Sequence, residues 1–565
     1  MGLDGLPLAC AALNLALVIL LAVRHRKQLL APLHRGRPEI RMALVAITIV
    51  AILLRATVPY KHVEAFDSEL MFVELGRGVL LERVDAYCIL GSLGDCEVLR
   101  RYSLPVYPLV VSVSHGILGV DEELPVWLSV VAGTLTVPVL FLLVSMLIGQ
   151  EAGLIAALAL AFLPMHIVYS TTIHSEAVSV LFEAIAALAL VNAWRARTRS
   201  SSLFAGATIA LFFQIRLDNV IVLPFLAALV LLAKSGRFRT IALFVPFLLA
   251  VPSWSQYADY TRYSWSQEGE EPAGTIDLSP EFLMSRTPYI RMLFSGVYIP
   301  AGTALLVLLG IAALARQDRR LAFIVLAWFL LRLGIFIVHG DPLFQPRSVL
   351  AFSLALCTLA GAGGGALASQ GALPMVSAVL LIALGSLPTI ALASQLQPAE
   401  LLVGRLWAAV GLPVIIALST AGRTGPWRRV LVASTLALLV CGGVLYTTDA
   451  AAVTSVSPDR YTFERDFFIL ARTVVGEDCT VASFVPFYAG RRMDRPVVSV
   501  EDPELLEGLV GSDACVVYVE MSKSRVPWVT KRFQLGPKHT LDMPRDAVSR
   551  VRYSMYVTRI EGVAP

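Results

Sequence analysis

Residues 124–148 read LPVWLSVVAGTLTVPVLFLLVSMLI, a stretch without a single charged side chain. As a helix it would extend roughly 37 Å, more than the ~30 Å hydrocarbon core of a bilayer. Lipid offers no partner to backbone N–H and C=O groups, so only helices or closed barrels cross it. Continuous Leu, Ala and Val runs select the helix, since barrel strands alternate polar and apolar residues. The stretch is typical of the chain. Over 565 residues, 57% are hydrophobic and only 16% charged, whereas a soluble protein of this length exposes more charge.

Working outward, the sequence predicts about fourteen spans, near 7–23, 41–58, 124–148, 152–169, 175–194, 203–217, 218–233, 239–255, 291–314, 321–338, 347–365, 373–395, 402–421 and 429–446. In the first, the basic cluster follows the apolar run and no small-residue cleavage site is evident, so it reads as a membrane anchor, not a signal peptide. The apolar segment 109–119 is short for a span and reads as an interfacial or re-entrant helix. The fold class is therefore a polytopic α-helical membrane protein. A net charge of +4, with no basic patch interleaved with aromatics, gives no reason to expect a nucleic-acid partner.

Short-loop charge sets the orientation. Clusters at Arg24–Arg41, Arg195–Arg199, Lys234–Arg239, Arg316–Arg320 and Arg423–Arg429 all fall on one side of the fourteen spans. The positive-inside rule makes that side the cytoplasm. The loops 59–123 and 256–290, and everything after about 447, then lie outside. The polar constellations follow them: Glu64, Asp67 and Glu69 beyond span two; His174 and Glu176 between spans four and five; Arg216 and Asp218 between spans six and seven; His339, Asp341 and Arg347 between spans ten and eleven. Ionisable groups at a membrane edge are costly and usually mark function. Three carboxylates within six residues suit a general base and hard-cation ligands.

Four stretches carry a resemblance: Leu54-Arg55 with Phe66-Asp67-Ser68-Glu69 and Gly76-Arg77-Gly78; Leu163-Pro164-Met165-His166 with His174-Ser175-Glu176; Gln214-Ile215-Arg216-Leu217-Asp218-Asn219; and Phe344-Gln345-Pro346-Arg347-Ser348. In order and sidedness they resemble the type C glycosyltransferase superfamily (GT-C), in particular its protein mannosyltransferase and aminoarabinose transferase branch, across roughly residues 45–365. The usual adjacent Asp-Glu pair is here Asp67-Ser68-Glu69, Ser348 replaces a Tyr, and an additional span precedes the usual first one.

The resemblance implies a sugar donor linked to a polyprenyl phosphate, and a glycan, lipid or protein acceptor, met at the outer face of the plasma membrane. Asp67 would deprotonate the acceptor hydroxyl, with Glu69 and Glu64 beside it. Attack opposite the phosphate would invert the anomeric centre. Arg216 and Arg347, with Lys61 and His62, would stabilise the departing phosphate. His174, Glu176 and Asp218 would orient the acceptor or hold a divalent metal (Mg, Mn or Ca); the cofactor stays open. The alternative is a transporter or flippase of lipid-linked glycans, which would place polar groups near the midplane. The spans read as nearly clean of charge, which favours the enzyme.

Two domains are expected. Residues 1–448 form the transmembrane part with its outer loop 59–123, and 449–565 form a small extracytoplasmic α/β domain. In the latter, 462–475 reads as an amphipathic helix and 480–484, 496–500, 515–520 and 555–560 as strands. Cys88 and Cys96, close in an outer loop with two glycines, are expected to form a disulfide. Cys479 and Cys515 are the less expected pair, since both read as buried strand residues of the α/β domain. A reporter fused after residue 565 is expected to be active only outside the cytoplasm, and one fused near Arg319 only inside. The opposite pattern would put the acidic cluster in the cytoplasm and point to nucleotide-sugar chemistry.

Overall fold

The computed structural model describes residues 6–57, 105–119, 124–172, 175–216, 219, 237–255, 299, 301–338, 350–369, 471–483, 493, 496–500, 503–512, 514–520, 526–537, 539–542 and 554–563. Its helices are α1 (Leu6–Leu29), α2 (Ala31–Arg35), α3 (Pro38–Thr57), α4 (Val106–Leu118), α5 (Leu124–Leu147), α6 (Gln150–Ala161), α7 (Pro164–Tyr169), α8 (Glu176–Ala196), α9 (Arg199–Phe213), α10 (Arg237–Phe244), α11 (Ala301–Gln317), α12 (Arg319–Val338) and α13 (Ser353–Ala368). Among the described residues, four segments are long and apolar enough to cross a membrane: Leu6–Arg35, Leu124–Leu147, Glu176–Ala196 and Leu350–Ala368. The predicted spans 218–233, 373–395, 402–421 and 429–446 lie outside the described residues.

Proline edits the predicted boundaries. The span expected over 152–169 stops at Ala161 and restarts as α7 at Pro164; proline lacks the N–H a continuing helix needs and suits a first helical position. The span expected over 239–255 is α10, a 3-10 turn over Val245–Leu249 that starts beside Pro246, and a further helical turn over 251–255. The short apolar segment expected over 109–119 is α4, thirteen residues long.

The helical unit is held by close backbone approach. Residues 361–365 of α13 read GAGGG. Gly361 and Gly365, one turn apart, face Ala152 of α6, and Gly364 faces Ile155. On another side of α13, Gly363 lies against Leu306 and Gly310 of α11, and a β-carbon at Gly310 would strike the Leu359 carbonyl oxygen. Small residues four apart let helices touch along their backbones, which matters in lipid, where packing replaces the hydrophobic drive. Large apolar side chains on α1 and α3, among them Leu13, Leu20, Met42, Val45 and Leu53, remain exposed, as bilayer-facing surfaces do.

Helices α8 and α9 form an antiparallel hairpin with almost no linker. Arg197 takes the left-handed conformation at φ 54° and its N–H returns to the Ala193 carbonyl, a helix-ending motif. Thr198 then opens α9 through a capping box with Ser201, which satisfies two orphan N–H groups. The reversal brings the start of α8 and the end of α9 to the same end of the hairpin.

The C-terminal unit, described by itself, is an α/β sheet. Strands β1 (Thr480–Ser483), β2 (Val497–Ser499), β3 (Val516–Glu520), β4 (Phe533–Leu535), β5 (His539–Asp542) and β6 (Ser554–Val563) are ordered β2-β1-β3-β6-β4, with β5 also on β6. β1 pairs in parallel with β2 and β3, while β6 runs antiparallel to β3, β4 and β5. Helices α14 (Pro503–Gly511) and α15 (Val526–Arg532) contribute Leu506 and Val529 to a core with Tyr518, Phe533 and Ile560. The four expected strands are present; β4, β5 and the two helices add to them.

One cysteine expectation is overturned. Cys479 and Cys515 form a disulfide with Cα atoms 4.6 Å apart. Each immediately precedes a strand instead of lying inside one. Thr480 sits opposite Val516 in neighbouring parallel strands, so the two preceding residues stand side by side. Cys88 and Cys96 lie outside the described residues.

The glycine contacts generate a paired test. Gly310→Ala is expected to cost about 1–3 kcal/mol through overpacking. Gly334→Ala, where nothing lies within 4 Å of the new β-carbon, is expected to be neutral or to stabilise by up to about 1 kcal/mol. Thermal unfolding in detergent reads both, and the reverse order would contradict the packing described.

Candidate functional site

Three side chains at the end of α9 organise the helical unit. Gln214 is fully buried: its amide donates to the Leu249 carbonyl at 3.0 Å and to Ser253 Oγ at 3.1 Å, while its Oε1 accepts from Asn14 Nδ2 of α1 at 3.1 Å. Arg216 Nη1 meets Glu176 Oε1 at 2.5 Å. Asn219 Nδ2 donates to Ser179 Oγ at 3.0 Å and to the Phe212 carbonyl at 2.8 Å. The Asn219 N–H returns to the Arg216 carbonyl at 3.3 Å. Each of the three described polar residues of this motif is thus tied to a different partner set.

The Arg216–Glu176 pair is asymmetric. The Arg216 side chain is 24% exposed and that of Glu176 only 5%, so the pair opens on its cationic side. Glu176 lies in the first turn of α8, where the positive end of the helix dipole favours a carboxylate. A short charge-assisted contact there fixes the guanidinium in place.

Deeper on the same helix lies a second pair. Glu176, Ser179 and Glu183 are spaced i, i+3 and i+7, which puts them on one face. Glu183 is about 10 Å further along the axis than Glu176. Its carboxylate receives Arg332 Nη2 at 3.0 Å, Arg332 Nε at 3.2 Å and the Trp328 indole N–H at 2.9 Å. Arg332 Nη2 also donates to Asn219 Oδ1 at 3.4 Å, and its guanidinium lies 5.6 Å from the centre of the Phe212 ring, a cation–π distance.

A third group joins two of the motifs read in the sequence. Arg55, near the end of α3, donates to the Ala51 carbonyl at 2.9 Å, to the Leu160 carbonyl at 3.5 Å and, at 2.7 Å, to His166 Nδ1. A ring nitrogen that accepts from a guanidinium carries no proton, so the imidazole hydrogen sits on Nε2. Both residues are buried. The contact fixes the end of the helix that leads into the acidic motif.

Of the sequence candidates, Arg216 and Glu176 are brought together. Lys61, His62, Glu64, Asp67, Glu69, His174, Asp218 and Arg347 lie outside the described residues. One carboxylate oxygen of Glu176 is engaged by Arg216. Among the described residues no three His, Cys, Asp or Glu side chains come together as metal ligands.

The expectation that the spans are nearly clean of charge needs correction. Glu183 and Arg332 fall inside predicted spans, both 4% exposed, and Arg55 lies inside another. Glu183 and Arg332 are hidden in the sequence because each finds its partner on a distant helix. The i+7 spacing of Glu176 and Glu183 is the one signal of the pair that the sequence carries.

Residues 103–254 match the family model described as dolichyl-phosphate-mannose-protein mannosyltransferase. No curated protein matches the sequence. Among solved structures, the chain is similar to ArnT from Cupriavidus metallidurans bound to undecaprenyl phosphate, with 12% identity, a TM-score of 0.53, and 92% of this chain and 98% of that one covered. It is also similar to the oligosaccharyltransferase of Archaeoglobus fulgidus in its apo form, with 12% identity, a TM-score of 0.50, and coverage of 88% and 73%. The chain carries the fold of the type C glycosyltransferase superfamily, as its four motifs imply.

Proposed function

We propose that this protein is a membrane glycosyltransferase that moves a hexosyl or pentosyl group from a polyprenyl-phosphate donor to an acceptor hydroxyl, with inversion, outside the cytoplasm. The observation that carries the reading is the half-open Arg216–Glu176 pair in a fold similar to that of ArnT, whose structure holds undecaprenyl phosphate. The acceptor oxygen attacks the anomeric carbon opposite the phosphate. Its proton passes to Asp67, the bond from the anomeric carbon to the phosphate oxygen breaks, and the polyprenyl phosphate leaves with the electron pair. Arg216 faces that developing charge with Arg347, assisted by Lys61 and His62, and preorganised donors of this kind act most strongly where water is excluded. Glu176 keeps Arg216 in place.

The extracytoplasmic placement rests on the distribution of basic loops and gains support from the Cys479–Cys515 disulfide, a bond that persists in oxidising compartments. Against a transporter, the buried charges Glu183 and Arg332 satisfy each other.

Asp67→Asn is expected to lower transfer by about 10²–10⁴-fold, the usual loss of a general base. Arg216→Ala is expected to weaken donor use, with only partial rescue by Lys, which lacks the planar fork. Initial rates on purified, folded variants check both. Wild-type turnover in Asp67→Asn would remove its role, and unchanged donor use in Arg216→Ala would make that arginine merely interfacial.

A further inference from the structure

Arg216 is set by more than Glu176. Its main-chain carbonyl receives the Asn219 N–H, so the place of Asn219 fixes the place of Arg216. The Asn219 amide can be held in either of two orientations, and the structure supplies what selects one. Arg332 carries only donors, and its Nη2 faces Asn219 Oδ1 at 3.4 Å. The Phe212 carbonyl, which can only accept, takes the amide nitrogen at 2.8 Å and selects the same orientation, while Ser179 Oγ lies within reach of both amide atoms. Arg332 is in turn held by Glu183 through two guanidinium nitrogens, and Trp328 donates to the same carboxylate.

We infer that the buried Glu183–Arg332 pair is a positioning device for Arg216, acting through Asn219. It deepens, and rests on, the reading of Arg216 as a donor-phosphate group. A buried ion pair adds little stability over an apolar pair of similar volume, so packing alone does not call for one here. What it adds is direction. The pair ties α12 to α8 and sets the register in which Asn219, and then Arg216, is presented at the outer end of the bundle. A displacement of about 1 Å at a reacting group costs on the order of 100-fold in rate, so a rigid support below Arg216 has an evident use.

The test uses the full-length protein in lipid nanodiscs, with undecaprenyl phosphate as the probe. Glu183→Gln and Arg332→Lys preserve size and polarity. Both are expected to raise amide hydrogen exchange at least about tenfold at Asn219, whose N–H closes onto Arg216. Both are expected to weaken undecaprenyl phosphate binding at least about fivefold. Added to Arg216→Ala, Glu183→Gln is expected to cause no further loss of binding, because the two act at one group. Asn219→Ala cuts the link and leaves the ion pair intact; it carries the same expectations should the charge variants fail to fold. Unchanged exchange at 219, or binding losses that multiply in the double variant, would overturn the inference. If the wild type binds no undecaprenyl phosphate, the functional reading falls, and the exchange measurement still decides the positioning.

Discussion

A guanidinium buried in a helix bundle keeps its charge, and every N–H it carries calls for an acceptor. Arg332 sets its Nε and Nη2 against Glu183 on one side and its Nη2 against Asn219 on the other. The consequences run upward through the structure. Glu183 lies on the α8 face that also carries Ser179 and Glu176, so satisfying Arg332 fixes the rotation of α8 about its axis. That rotation presents Glu176 to Arg216 and Ser179 to Asn219. Removing either member of the buried pair would leave an uncompensated charge, typically worth about 3–5 kcal/mol.

Packing supplies the rest of the rigidity by different means. Around α13 close approach is made at Gly310, Gly361, Gly363 and Gly365, which lie against backbone atoms and small side chains of the neighbouring helices. Around the end of α9 the contacts are polar and directional, with Gln214 reaching α1 and the chain at 249–253. The additional N-terminal span thus has a structural role, because Asn14 of α1 closes on the motif that carries Arg216. In the C-terminal unit a disulfide between two strand entries joins β1 to β3 at the point where both begin.

Hydropathy makes most of the described helices legible, because an apolar run of membrane length has one solution in lipid. It locates α5, α8 and α12 within a few residues. It fails at Pro164 and Pro246, where an apolar run hides a break in the backbone. The Arg216 site is half legible. Arg216 and Glu176 are recognisable as polar groups at the same face, but not as partners, since Asp218 is the nearer acid in sequence. Glu183 and Arg332 stay hidden because 149 residues separate them, and no local pattern links such a pair. Cys479 and Cys515 read as core residues, because strand register, which sets them side by side, is not visible before the sheet is assembled.

These parts meet in one chemical claim, that a polyprenyl phosphate leaves a sugar beside Arg216. The most direct measurement incubates the purified protein in nanodiscs with a panel of polyprenyl-phosphate sugars, with and without acceptor alcohols, and follows the lipid by mass spectrometry. The expected result is release of free polyprenyl phosphate from at least one donor, together with a glycosylated acceptor. Movement of an intact lipid-linked sugar across the bilayer with no release, or consumption of nucleotide sugars alone, would contradict the claim.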